Sequence, residues 1–117
     1  MSNCIGKEVL CRVAFKKETR ARDVLQNDLI FNAELMYIKV AKIETFINVE
    51  CYEISSEIGG FSRNPVVFSK EHFTKENLEK LKCFAFKEVV SEVVAFFDEN
   101  GDEIEVLPSQ FIDGFRV

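Results

Sequence analysis

Apolar and polar residues alternate with a period of two along much of this chain. Val9, Cys11, Val13 and Phe15 interleave with Glu8, Leu10, Arg12, Ala14 and Lys16, which predicts a strand over 8–16. The strongest β signal covers 29–54. Met36, Ile38 and Val40 fall on one face there, with Tyr37, Lys39 and Ala41 on the other; Ile47, Val49 and Cys51 then oppose Asn48, Glu50 and Tyr52. The pattern predicts strands over 35–43 and 46–54 meeting near Glu44-Thr45. That junction lacks the Asn-Gly or Gly-X pair of a tight hairpin, so one long bent strand, or a helix over part of the run, is the alternative. Val66-Val67-Phe68 reads as a further short strand.

Helical signals are few. The run Lys17–Gln26 has good helix formers and no breaker, and reads as a short helix or a charged loop. Thr74 has the chemistry of an N-cap, and Phe73 and Leu78 are spaced as a hydrophobic staple, so a helix is expected over 75–82. Beyond it the chain reads two ways over 84–96: Leu78, Leu81, Ala85, Val89, Val93 and Phe96 could continue a helical stripe, but Val89, Val90, Val93 and Val94 are β-branched and favour a strand over 90–98. Asn100-Gly101 between apolar flanks is the best hairpin signal in the chain. The expected partner strand is Glu103–Leu107, with Ile104 and Val106 inward, Glu103 and Glu105 outward, and Pro108 ending it. Residues 109–117 read as a short turn or helix that docks Phe111, Ile112 and Phe115. Gly59-Gly60 punctuates the chain as a turn. Runs of strands with few helices predict an α+β fold: a single domain over 1–117, mostly antiparallel sheet with one or two helices.

Composition adds one oddity. At 117 residues, 47% hydrophobic and 30% charged, the chain resembles an ordinary globular domain. It carries twelve Phe and no Trp. Phe has no polar handle, so most of these rings are expected in the core, with an exposed aromatic patch as the alternative. The start lacks a signal-peptide apolar run, no window of about 18 apolar residues exists, and the expected compartment is the reducing cytoplasm. Cys4, Cys11, Cys51 and Cys83 contain no C-x-x-C pair, so buried free thiols are expected and no metal.

Charge is divided along the chain. The first 43 residues hold eight Lys/Arg and five Asp/Glu, +3; the remaining 74 hold seven and fifteen, −8, which gives the net −5. The basic cluster Lys16, Lys17, Arg20 and Arg22 suits phosphate contact, but Glu18 and Asp23 sit among it. A solvated face is the simpler account, with pairing to the acidic half as a further one. Asp98, Glu99, Asp102, Glu103 and Glu105 crowd the expected hairpin.

Candidate chemistry is thin. His72 is the lone histidine, with no nucleophile or acid in motif relation to it. Gly59-Gly60 matches neither phosphate-loop pattern. The run Asp98-Glu99-Asn100-Gly101-Asp102 hints at calcium, but its Gly falls at position four where an EF-hand needs it at six. No catalytic residue and no cofactor is expected, and an enzyme is the less favoured reading. The favoured expectation is a small acidic binding or inhibitor protein. It would use Asp98, Glu99, Asp102, Glu103 and Glu105 to occlude a basic surface of a partner protein, such as a nucleic-acid-binding enzyme. Immunity proteins, antitoxins and phage anti-defence inhibitors use this logic. Direct nucleic-acid contact through Lys16–Arg22 fits the net charge least well. The alternative from another class is a small-molecule-binding or enzymatic domain with a Phe-lined pocket.

Overall fold

The computed structural model describes residues 3–55, 57–58, 61–62, 66–72 and 85–112. In chain order the elements are β1 (Ile5–Gly6), β2 (Leu10–Cys11), β3 (Thr19–Arg20), β4 (Leu29–Phe31), β5 (Tyr37–Lys39) and β6 (Lys42–Ser55). There follow β7 (Glu57–Ile58), β8 (Phe61–Ser62), β9 (Val66–Ser69), β10 (Ala85–Phe97) and a helix α1 (Ser109–Ile112). Single 3-10 turns cover Ala21–Asp23 and Lys70–His72. The expected helix over 75–82, with Phe73, Thr74 and Leu78, lies outside the described residues, as do Gly59-Gly60, Cys83 and Phe115.

β6 and β10 run antiparallel along almost their whole lengths, from Ala85↔Ser55 to Phe97↔Lys42. β9 adds to the other edge of β6, and β1 bridges β9 and β10, so the sheet closes into a small barrel. The α+β expectation holds in its mostly antiparallel form, with the described helical content confined to one short helix and two turns.

The expected break at Glu44-Thr45 is absent, because both residues pair with β10 within one continuous strand. The irregularity lies farther on. Phe46 pairs with Val93 and Val49 with Ser91, so three steps along β6 match two along β10. The extra residue is a β-bulge, and Asn48 there takes the left-handed conformation at φ 54°. Asn tolerates that region better than most residues. The bulge changes which parity of β6 faces which side. Before it, Ile43 packs into the main core while Phe46 faces the second cluster; after it, Val49 faces the second cluster and Tyr52 and Ile54 the main core. β10 has no such break and alternates throughout: Val94 and Phe96 enter the main core, Val93 and Ala95 the second cluster.

Other expectations need amendment. The strand over 8–16 survives as β2 and a single bridge from Val13 to Ile30. Its alternation is right for Val9, Cys11 and Val13, all buried. Phe15 is not inward: it turns the chain at φ 64° and is 101% exposed. Within 17–26 the structure forms β3 and the 3-10 turn rather than an α-helix. The Asn100-Gly101 turn is present, closed by Asp98 N–H to the Asp102 carbonyl at 2.9 Å and Gly101 N–H to the Asp98 carbonyl at 3.1 Å. Its return arm is no continuous strand. It touches the body through the bridges Phe97↔Glu103 and Asn32↔Val106, which bury Ile104 and Val106. Pro108 bridges to Cys11, and α1 follows with Phe111 and Ile112 buried.

Gly6 sits at the barrel seam, where a Cβ would lie 2.7 Å from Val67 Cβ. Gly6→Ala is therefore expected to destabilise the fold by about 1–3 kcal/mol, the usual range for overpacking, read as a lower urea midpoint.

Candidate functional site

The acidic turn is the first place to look, and its five carboxylates do not act alike. Asp98 is half-buried, and its Oδ1 accepts the backbone N–H of Asn100 at 2.9 Å and of Asp102 at 3.0 Å. This carboxylate organises the turn. Glu103 is half-buried as well, not outward, and its Oε1 accepts the N–H of Asn3 at 2.7 Å. Glu105 is likewise half-buried. Glu99 and Asp102 are exposed, and Glu99 meets Lys39 at 3.1 Å. The hairpin therefore presents two acids outward and uses two others to hold itself in place. Among the described residues, no group of three His, Cys, Asp or Glu side chains is placed to hold a metal ion.

The basic cluster pairs mainly with its own end of the chain, not with the acidic half. Lys16 meets Asp28 at 2.9 Å, and Glu8 takes Arg20 at 3.4 Å and Arg22 at 2.9 Å. Burial tends to raise the Asp28 carboxyl, but the Lys16 hydrogen bond and the Leu25 N–H at 2.9 Å outweigh it and hold the pKa below the ordinary value.

A second place emerges at the bulge. Between β6, β9 and β10 lies a cleft of about 300 Å³. Cys4, Phe46, Val49 and Val93 form its apolar lining, and Glu50, Lys70 and Glu71 its charged part. Among the described residues, Phe46 is the one Phe in this lining, beside Val49, Val93 and Cys4. Phe68, Phe96 and Phe111 are spent on the core. Lys70 bonds Glu88 at 3.0 Å, which raises its pKa, and lies 3.9 Å from Glu50 and 5.4 Å from the centre of the Tyr52 ring. Ser69 also lines the cleft and is 3% exposed; its Oγ is buried with no hydrogen-bond partner. An unpaired buried hydroxyl costs about 1–3 kcal/mol, so a fold that keeps one is carrying a penalty.

None of these cleft residues stood out in the sequence. Phe46, Glu50, Ser69 and Val93 come from three strands whose adjacency depends on pairing, and no spacing rule links them. His72 ends the 3-10 turn that carries Lys70 and Glu71.

Cys4, Cys11 and Cys51 are buried and form no disulfide. Burial pushes all three thiols up, Cys11 to about 12 and Cys4 to about 11, the latter helped by the nearby Glu103. Thiols held protonated in this way are poor nucleophiles and metal ligands.

No helix among the described residues is long and apolar enough to cross a membrane. Comparison with known proteins brings no family: no family model, no characterised protein and no solved structure matches the chain.

Two outcomes follow from these geometries. Asp98→Ala should destabilise the protein by about 1 kcal/mol through loss of the turn's hydrogen bonds, while Glu99→Gln should stay within about 0.5 kcal/mol; urea titration separates them. The Cys11 thiol has a folded pKa of about 12 against an ordinary 9.0. Between those values the unfolded chain releases its proton and the folded chain keeps it. Stability is thus full below pH 9 and falls as pH rises through the window, by up to about 1.4 kcal/mol per pH unit for one such thiol. Cys11→Ala should flatten that alkaline fall, measured as the slope of unfolding free energy against pH.

Proposed function

We propose that this chain is a small acidic binding protein that works by occlusion, presenting the turn at Asp98–Asp102 to a basic surface of a partner protein. The observation that supports this most is the division of labour within that turn. Asp98 fixes the backbone through two hydrogen bonds while Glu99 and Asp102 stand exposed on it. Charges on a pre-ordered turn lose little conformational entropy when a partner arrives.

The surrounding electrostatics favour the same reading. Lys16, Arg20 and Arg22 are engaged by Glu8 and Asp28, so the basic cluster leaves the acidic turn uncovered. Lys39 does contact Glu99, but both side chains are about half-exposed or more, and such pairs are worth at most about 1 kcal/mol. A partner Arg or Lys can displace it. Acids at an interface rim act chiefly on association rate, and their pull weakens with salt. The partner class that fits is a protein whose own working surface is basic, such as one that holds nucleic acid.

The test uses the native partner, recovered by affinity capture and identified by mass spectrometry. The double variant Glu99→Lys/Asp102→Lys should keep its thermal midpoint, lower the association rate by about tenfold or more at low salt, and change dissociation less. An unchanged association rate at low salt would overturn the reading.

A further inference from the structure

We propose that the cleft at the β6 bulge is a binding site for a small amine with an apolar body and a hydrogen-bonding group. This inference stands apart from the docking reading and does not rest on it. Three independent features meet here. The bulge places Phe46 and Val49 on the same side of β6, where unbroken alternation would have put them on opposite sides, and both line the cleft. The cavity of about 300 Å³ is at the lower end of the size range of small-ligand pockets. Ser69 Oγ, fully buried in its lining, has no hydrogen-bond partner.

The chemistry of the lining then selects the ligand. Phe46, Val49 and Val93 offer an apolar slot for a ring or short chain. The Ser69 Oγ is closed to solvent, so it meets a ligand hydroxyl or carbonyl when its side chain turns towards the cleft; the bond then formed removes the penalty of the unmade one. The charged part holds Glu50, Glu71 and Lys70, and Glu88 bonds Lys70 from the adjoining groove. Among the described residues that is three carboxylates against one ammonium, and the ammonium is already held by Glu88 and near Glu50. A cation is therefore attracted, and an anion would have to pull Lys70 from its partners. The Cys4 thiol, protonated, adds polarizable apolar surface and no charge. A phenol bearing an alkylammonium tail carries the ring, the hydroxyl and the cation that this lining suits.

The experiment titrates the full chain with tyramine, phenethylamine and 3-(4-hydroxyphenyl)propionate, following backbone amide shifts by NMR and heat by calorimetry. Tyramine should bind saturably, with the largest shifts at Val49, Ser69 and Val93. Phenethylamine, which lacks the hydroxyl, and the propionate, which reverses the tail charge, should each bind about tenfold more weakly or worse. Ser69→Ala should reduce tyramine to the affinity of phenethylamine while leaving the thermal midpoint unchanged or higher, a combination that a purely structural serine would not give. Glu71→Gln, at an exposed position, should weaken both amines and leave the propionate no weaker. Absence of saturable shifts at millimolar tyramine overturns the site. Equal binding of all three probes, or tighter binding of the propionate, overturns the ligand assignment.

Discussion

One extra residue in β6 governs the rest of the architecture. Strand side chains alternate with a strict period of two, so a strand without a bulge serves each face in one fixed parity. β6 needs Ile43 and Ile54 on the main-core side, and the two positions differ in parity. The insertion between Phe46 and Val49 reconciles them, while β10 opposite keeps unbroken alternation. The left-handed Asn48 is the local cost, and the pairing of fourteen-residue β6 with thirteen-residue β10 is the return. A bulge also sharpens twist, which helps so few strands curl far enough for β1 to close the ring.

The candidate sites sit where that frame leaves something over. At the bulge the apolar lining meets the buried Ser69 and a charged rim, so an unmet hydroxyl and a cluster of carboxylates share one concavity. At the far end of β10 the chain reverses in a turn that Asp98 stitches together. The acids Asp98 and Glu103 are engaged in holding the backbone, Glu105 is half-buried, and Glu99 and Asp102 are the ones that stand exposed. Charge counted along a sequence thus overstates the charge available at a surface.

The sequence was most legible where a local rule suffices. Alternation at Val9, Cys11 and Val13 gives the right inward face, β-branched Val89–Val94 gives a strand, and Asn100-Gly101 gives the turn. It misled where two local rules agree on different structures. A parity change in 42–55 is what a hairpin break would produce, and a bulge produces the same string of residues. Phe15 continues the alternation on paper, yet the chain has already turned there, held by Lys16 N–H to the Val13 carbonyl at 3.3 Å. Glu103 looks outward by periodicity, but the approach of Asn3, a hundred positions away, recruits it. Long-range pairing of this kind leaves no trace in spacing, and for the same reason the cleft residues were invisible.

The two-residue strand Ile5–Gly6 carries a consequence for how the molecule is made. Its partners are Phe68 on one side and Val93 and Val94 on the other. During synthesis from the N-terminus, this segment must wait for nearly ninety further residues before its second edge exists. Ile5 is wholly buried in the finished fold, and until Val94 is made it has at most the Phe68 side of its site. Ring closure is a late, entropically costly event in which Ile5 and Gly6 meet Val94 and Val93, far along the sequence. This part of the nascent chain should accordingly be open and adhesive until Val94 emerges, and any chaperone that engages it would find a handle around Ile5.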